Sequence, residues 1–220
     1  MIPIYIYNGQ PLPTNETYYV VASNGTFIHK HGIFQSLVRV ENIPFIEPIS
    51  PYISPKFPPI PQNLANKVRL FFKTVLEVYR AEANVLIYFN PENRQFKIHV
   101  PYQQVARNFV NYERKLSPEE TLKLSGFLCI GTIHSHCDFE AFHSGVDVDD
   151  EKHFDGLHVT FGNNQKEAIT IAASLVSNNY RQLIFPCDVI EGIVPVDGGF
   201  KFLTDCNENI DDWLEKVKNA

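Results

Sequence analysis

Two histidines and an aspartate stand at a spacing that suits a metal centre. The run Gly131-Thr-Ile-His134-Ser-His136 precedes Ser144-Gly-Val-Asp147. Residues i and i+2 of a strand point to the same side, so a strand ending at these histidines presents both imidazoles together. Two imidazoles and one carboxylate suit Zn²⁺ with an open fourth position for water. The pattern therefore predicts a catalytic zinc site with His134, His136 and Asp147 as ligands.

This spacing resembles the JAMM signature of the JAB/MPN metalloprotease family. That signature is a distal Glu, then His-x-His, ten residues and Asp, with Ser three residues before the Asp. His134, His136, Ser144 and Asp147 fit it without a gap. Cys137 departs from it, because many members have Pro after the second His. The departure bears on the shape of the loop more than on the metal.

The resemblance covers residues from about 62 to 180, and it implies both a fold and an activity. The implied fold is MPN/JAB-like, with a central curved mixed sheet flanked by helices. The implied activity is a zinc-dependent isopeptidase that hydrolyses the amide bond after the C-terminal tail of a ubiquitin-like protein. In this reading Glu82 is the general base and Ser144 helps to hold the oxyanion. The expected partners are a ubiquitin-like protein or its conjugate, and an E1-like activating system.

Two carboxylates stand where the resemblance expects the general base. Glu82 immediately precedes the apolar run Val85 to Phe89, as the family's Glu precedes its first core strand. Glu77 lies inside an amphipathic helical pattern, where a Glu is most often solvated. We favour Glu82 and keep Glu77 as the alternative.

Other interpretations of the same residues stay open. Ser144 and Asp147 also form a capping-box pattern that starts a helix. His29-Lys30-His31 is a second His-x-His without the Ser and Asp spacing, and we expect ordinary strand surface there. A non-catalytic MPN-type scaffold, or a hydrolase of a small-molecule or sulfur-carrier conjugate, is the alternative function.

The elements that must position these residues follow from periodicity. Apolar residues from Leu64 to Tyr79 recur every three or four positions, which predicts a helix. Ala83 to Phe89 is a continuous apolar run typical of a buried strand. Further expected elements are strands at 96–100, 126–133, 157–161, 168–176 and 181–193, and helices at 118–124, from 145 onward and at 211–219. Alternating strands and helices from residue 62 onward predict a mixed α/β fold class.

The first 61 residues predict a separate accessory unit. Segments 18–22 and 26–40 are strand-like on either side of Asn24-Gly25, a hairpin turn signal. Residues 44–61 hold seven prolines among apolar residues, which predicts an extended segment packed on a surface. We therefore expect a small N-terminal β unit plus a proline-rich segment over 1–61, and the metalloprotease domain over 62–220.

Composition bounds the setting in which the protein works. The net charge is −6 and no cluster of Lys and Arg stands out, which argues against nucleic acid as a partner. No apolar run reaches the length of a membrane span. The first residues lack a basic n-region, and the four cysteines form no CxxC pair. We expect a cytoplasmic protein with reduced thiols and no membrane partner.

Overall fold

The computed structural model describes residues 2–32, 35–44 and 46–220, which form two compact units, 1–51 and 52–220. Ile33 and Phe34, inside the predicted β segment 26–40, lie outside the described residues. None of the helices in the described ranges combines the length and apolar character that a membrane span requires.

The smaller unit is a four-stranded sheet in chain order. Its strands are β1 (Ile4–Ile6), β2 (Tyr18–Ala22), β3 (Gly25–Lys30) and β4 (Ser36–Arg39). Strands β1 and β2 are parallel, and the other pairs are antiparallel. The hairpin between β2 and β3 turns where the Asn24-Gly25 signal stands, so the small N-terminal β unit has the architecture that the sequence predicts.

The boundary between the units lies at Pro51, ten residues before the predicted one. Residues 52–61 pack on the larger unit: the Ile60 amide donates to the Val189 carbonyl at 2.8 Å, and Ile60 is fully buried. The Phe57 ring also packs on Phe89, with centroids 6.1 Å apart. Apolar side chains between the prolines therefore attach this extended segment to the rest of the larger unit.

A six-stranded mixed sheet forms the centre of the larger unit. Its strands, in the spatial order β12-β11-β10-β9-β5-β6, are β12 (Tyr180–Leu183), β11 (Thr170–Ser177), β10 (Gly156–Gly162), β9 (Leu128–His136), β5 (Asn84–Asn90) and β6 (Gln95–His99). Strands β9 and β10 are parallel, and the other neighbours are antiparallel. The mixed α/β class predicted from the sequence is confirmed.

Helix α1 (Gln62–Tyr79) covers this sheet through the apolar face that the sequence predicts. Val68, Phe71, Phe72 and Val75 are fully buried. The Phe72 ring meets Phe161 of β10 edge-on, with centroids 5.9 Å apart. The helix ends at Arg80, which adopts a left-handed conformation and closes the last turn.

Short elements surround the sheet. They are β7 (Gln103–Ala106), β8 (Phe109–Tyr112), α2 (Pro118–Lys123), α3 (Gly145–Glu151), a 3₁₀ turn (Pro186–Asp188), β13 (Ile193–Val196), β14 (Gly199–Phe202), α4 (Asp211–Leu214) and β15 (Val217–Asn219). Strands β15, β7 and β8 form a three-stranded sheet in that order, and β13 pairs with β14.

Two of the predicted elements are wrong near the C-terminus. The expected helix over 211–219 is a single turn, α4, followed by β15, because Val217 is buried and β15 pairs in parallel with β7. The expected strand over 181–193 ends at Leu183, because Pro186 begins a 3₁₀ turn.

Candidate metal centre

The two histidines of the motif lie at the C-terminal end of β9, which is an inner strand of the six-stranded sheet. Asn84 of β5 pairs with His134 on one side, and Thr160 of β10 pairs with it on the other. Since both side chains leave the same face of the strand, their rings lie 5.0 Å apart and their Nε2 atoms 3.2 Å apart. Two ring nitrogens that face each other this closely suit a shared cation.

The loop after β9 brings the chain back to the two histidines. Gly162, opposite His136 in β10, permits this, since a Cβ there would stand 2.2 Å from the Ala141 amide nitrogen. The Ala141 amide donates to the Thr170 hydroxyl at 2.7 Å, and the Asn163 amide donates to the Phe139 carbonyl at 2.6 Å. These bonds fix the loop that leads into α3.

Asp147 enters the centre from the first turn of α3. Ser144 caps the helix: its hydroxyl accepts from the Asp147 amide at 3.2 Å, and its own amide donates to Asp147 Oδ2 at 2.8 Å. The carboxylate reaches both imidazoles, with Oδ1 3.4 Å from His134 Nε2 and Oδ2 3.4 Å from His136 Nε2. The capping-box pattern and the ligand pattern therefore coexist in one helix start.

These three side chains form a group that could hold a metal ion. Burial acts to raise the pKa of Asp147, but hydrogen bonds from His134 and His136 outweigh it and hold the pKa well below its usual range. The carboxylate is therefore ionised and available as a ligand.

Glu82 lies beside this group, two residues before the start of β5. The Ser135 amide donates to the Ala83 carbonyl at 2.9 Å, which continues the β5–β9 pairing and brings Glu82 opposite His136. The Glu82 amide donates to the Ala106 carbonyl at 2.9 Å, so the backbone of Glu82 is fixed. Burial raises the pKa of Glu82 to about 7, although the charges of His136 and His134 act in the opposite direction. A carboxyl with a pKa near neutrality suits a general base.

Glu77, the alternative base, lies elsewhere. Its side chain is 62% exposed on α1 and stands 3.9 Å from Lys73 Nζ, whereas Glu82 lines the cleft of the centre. The cleft encloses about 520 Å³ and is lined on the outside by Phe109, Phe139 and Phe142. The carboxylate that faces the histidines is therefore Glu82.

The remaining candidate residues show no sign of this chemistry. Cys137 follows His136 directly but is buried, and burial raises the pKa of its thiol to about 12, which does not favour the thiolate that a nucleophile needs. His29, of the second His-x-His pair, is buried, which differs from the surface position expected; it stacks on Tyr18 and bonds the Glu16 carbonyl. His31 is exposed.

A buried polar cluster behind His134 was missed at the level of the sequence. Glu151, at the end of α3, pairs with Arg181 of β12 at 2.7 Å and lies close to His143 and His158. Glu151 stands four residues after Asp147, so both carboxylates share one face of the helix. That spacing is the signal that could have identified it.

Comparisons with known proteins give similarity to solved structures at low sequence identity. The sequence matches no known family and no curated protein at a significant level. A solution structure from Desulfitobacterium hafniense is similar over 56% of this chain and 86% of that one, at 13% identity and a TM-score of 0.41. Another, from Salinibacter ruber, covers 56% and 85% at 16% identity and a TM-score of 0.33. The function must therefore be inferred from the site's own residues.

Proposed function

We propose that this protein is a zinc-dependent isopeptidase of the JAMM type, with an MPN/JAB-like fold. The observation that carries the proposal is the convergence of His134, His136 and Asp147 beside Glu82 in one cleft. Two imidazoles and one carboxylate bind the ion, and a second carboxylate, Glu82, which is not a ligand, remains for proton transfer. This division of roles is what metal-assisted hydrolysis of an amide needs.

The spacing of the donor atoms fits zinc. Ligands about 2.0–2.2 Å from a tetrahedral ion stand about 3.3–3.6 Å from one another. The two Nε2 atoms are 3.2 Å apart; His134 Nε2 lies 3.4 Å from Oδ1 of Asp147, and His136 Nε2 lies 3.4 Å from Oδ2. These distances allow one ion to meet all three side chains, and the donor set of two imidazoles and one carboxylate favours zinc.

The chain's own residues supply the proton transfers. When bound, zinc supplies a Lewis acid that lowers the pKa of water and polarises a carbonyl. Glu82 accepts one proton of the attacking water and returns it to the leaving nitrogen, so that the C–N bond breaks to an amine and a carboxylic acid, whose proton then passes to the amine. The Ser144 hydroxyl oxygen accepts from the Asp147 amide, which leaves its hydrogen free to donate to the developing oxyanion.

The wall of the cleft supports a substrate bound as an extended chain. Strand β8 (Phe109–Tyr112) is the outer strand of the β15-β7-β8 sheet, and Phe109, Val110 and Tyr112 line the cleft. An extended tail can add to the free edge of such a strand through backbone hydrogen bonds. We propose the C-terminal tail of a ubiquitin-like protein in this position, with an E1-like system as its source.

The proposed setting is the cytoplasm. The four cysteines, all among the described residues, are free thiols, as a reducing compartment favours.

Cleavage of conjugates tests the proposed reaction. Conjugates of ubiquitin-like proteins are incubated with the zinc-loaded protein, with and without a chelator. Glu82→Gln should keep zinc and lose about 10²–10⁴-fold in turnover, the usual contribution of a general base. Glu77→Gln is the matched control and should retain normal turnover. Turnover that resists both the chelator and Glu82→Gln would refute the mechanism.

A further inference from the structure

The carboxylate of Glu151 lies directly behind the metal centre. Glu151 is only 6% exposed, and burial of a carboxylate costs free energy unless the carboxylate is paired. Oε2 accepts from Arg181 Nη2 at 2.7 Å, and Arg181 also donates to the Ser174 hydroxyl. Oε1 stands 4.0 Å from His134 Nδ1. Arg181 therefore pairs with one carboxylate oxygen, and the other lies near His134 and His158.

The orientation of His134 determines which of its nitrogens needs an acceptor. Nε2 faces His136 and Asp147 at 3.2 and 3.4 Å, so Nε2 is the nitrogen that meets the metal. A neutral imidazole that ligates through Nε2 carries its hydrogen on Nδ1. Metal-binding histidines almost always donate this second N–H to a carboxylate or a carbonyl. His136 is held by the backbone of Glu140, whereas the carboxylate on the Nδ1 side of His134 is Glu151.

His158, the other imidazole close to Oε1, is oriented so that it does not compete for this oxygen. Its Nε2 lies 2.7 Å from the Phe154 carbonyl and must carry the hydrogen, since a carbonyl only accepts. Its Nδ1 is then an acceptor, and it takes the hydroxyl hydrogen of Thr132 at 2.9 Å. His158 Nδ1 stands 3.6 Å from Oε1 without a hydrogen to donate. Oε1 is therefore left for His134.

We propose that Glu151 is a positioning residue that accepts the Nδ1 hydrogen of His134 and holds Nε2 toward the metal. The 4.0 Å separation is about 1 Å longer than a hydrogen bond, so the proposed bond requires one of the two side chains to rotate. Asp147 and Glu151 lie one turn apart on α3, so one helix supplies both a ligand and the support of another ligand. The inference rests on the proposed metal site, and not on the proposed substrate.

The competing explanation is that Glu151 only neutralises Arg181. Removal of one partner of a buried ion pair destabilises a protein, whereas replacement of both partners by apolar residues is often tolerated. The variants are therefore Glu151→Met, Glu151→Gln and the double variant Glu151→Met/Arg181→Met. Asp149→Ala is the matched control, because Asp149 is exposed on the same helix and pairs with Lys152.

Two quantities are measured for each full-length variant: zinc affinity, by competition with a chromophoric chelator, and the urea midpoint of the chelator-treated protein. Loss of this kind of support typically costs 10–100-fold in metal affinity. Glu151→Met should show that loss, Glu151→Gln a smaller one because its amide oxygen still accepts, and Asp149→Ala none. The double variant should recover the urea midpoint of the wild type without recovering zinc affinity.

Nitrogen-15 spectra of the zinc-loaded wild type add a direct readout. His134 should carry its hydrogen on Nδ1, and this N–H should exchange slowly with water only while Glu151 is present. Wild-type affinity in Glu151→Met and Glu151→Gln, or recovery of affinity in the double variant, would overturn the positioning role alone. A wild type that binds no zinc would overturn the metal site and this inference together.

Discussion

Glu82 should reduce the stability of the protein at neutral and alkaline pH when no metal is bound. Burial raises its pKa from 4.5 to about 7, so the folded state holds the proton more tightly than the unfolded chain does. The stability that this proton contributes is therefore fully present below the pKa of Glu82 in the unfolded chain, and it is lost as the pH rises through the pKa in the folded state. The whole shift corresponds to about 3 kcal/mol, which solvent screening at this partly buried site reduces to about 1–2 kcal/mol.

Glu82→Gln removes this cost and should stabilise the metal-stripped protein. Urea unfolding of chelator-treated samples at about pH 8 should give a free energy of unfolding about 1–2 kcal/mol higher than that of the wild type. At about pH 4 the two proteins should be equal. Glu77→Gln, at an exposed position, should change stability by less than about 0.5 kcal/mol at either pH. A Glu82→Gln protein that is no more stable than the wild type at pH 8 would refute the claim that burial raises the pKa of Glu82.

Three further predictions concern the scaffold. Burial acts to raise the pKa of Glu120, but a hydrogen bond from Lys216 and the helix cap lower it to about 2. Glu120→Gln should therefore cost about 1 kcal/mol of stability near pH 7 and nothing below pH 2, as urea unfolding across this pH range would measure. Phe72→Ala, at a fully buried ring against Phe161, should cost about 3–5 kcal/mol, and a loss below 1 kcal/mol would contradict the packing. A fragment of residues 52–220 should bind zinc as the whole chain does, and a folded fragment without zinc would contradict the independence of this unit.

The sequence predicted the elements whose signals are local. The period of three to four in α1 and the apolar run of β5 gave both elements within two residues of their bounds, because each pattern follows from its own buried face. The spacing of His134 and His136 likewise placed both rings on one side of β9, since alternation is a property of the strand itself.

Elements that depend on distant partners could not be predicted in this way. Strand β15 lies in a polar segment, and it is a strand only because β7, about a hundred residues earlier, pairs with it. Strands β7 and β8 lie in a segment that is polar as a whole, and they were missed because they too depend on pairing with other strands.

Some residues of the candidate site likewise follow from a local pattern, and others depend on distant pairing. The proposed ligands follow from a motif, whereas the position of Glu82 opposite His136 depends on the register of β5 against β9. The pairing of Glu151 with Arg181 brings together α3 and β12, which no local pattern connects.

Zinc content is the measurement that tests the central claim most directly. The purified wild type, after loading and removal of excess metal, should contain one zinc per chain by elemental analysis. His136→Ala and Asp147→Ala should contain none, because each removes one of three proposed ligands whose donor atoms lie within 4.8 Å of one another. Asp149→Ala, whose side chain is 74% exposed and points away from the centre, should retain the full amount. A wild type without zinc, or a His136→Ala protein that keeps it, would contradict the account.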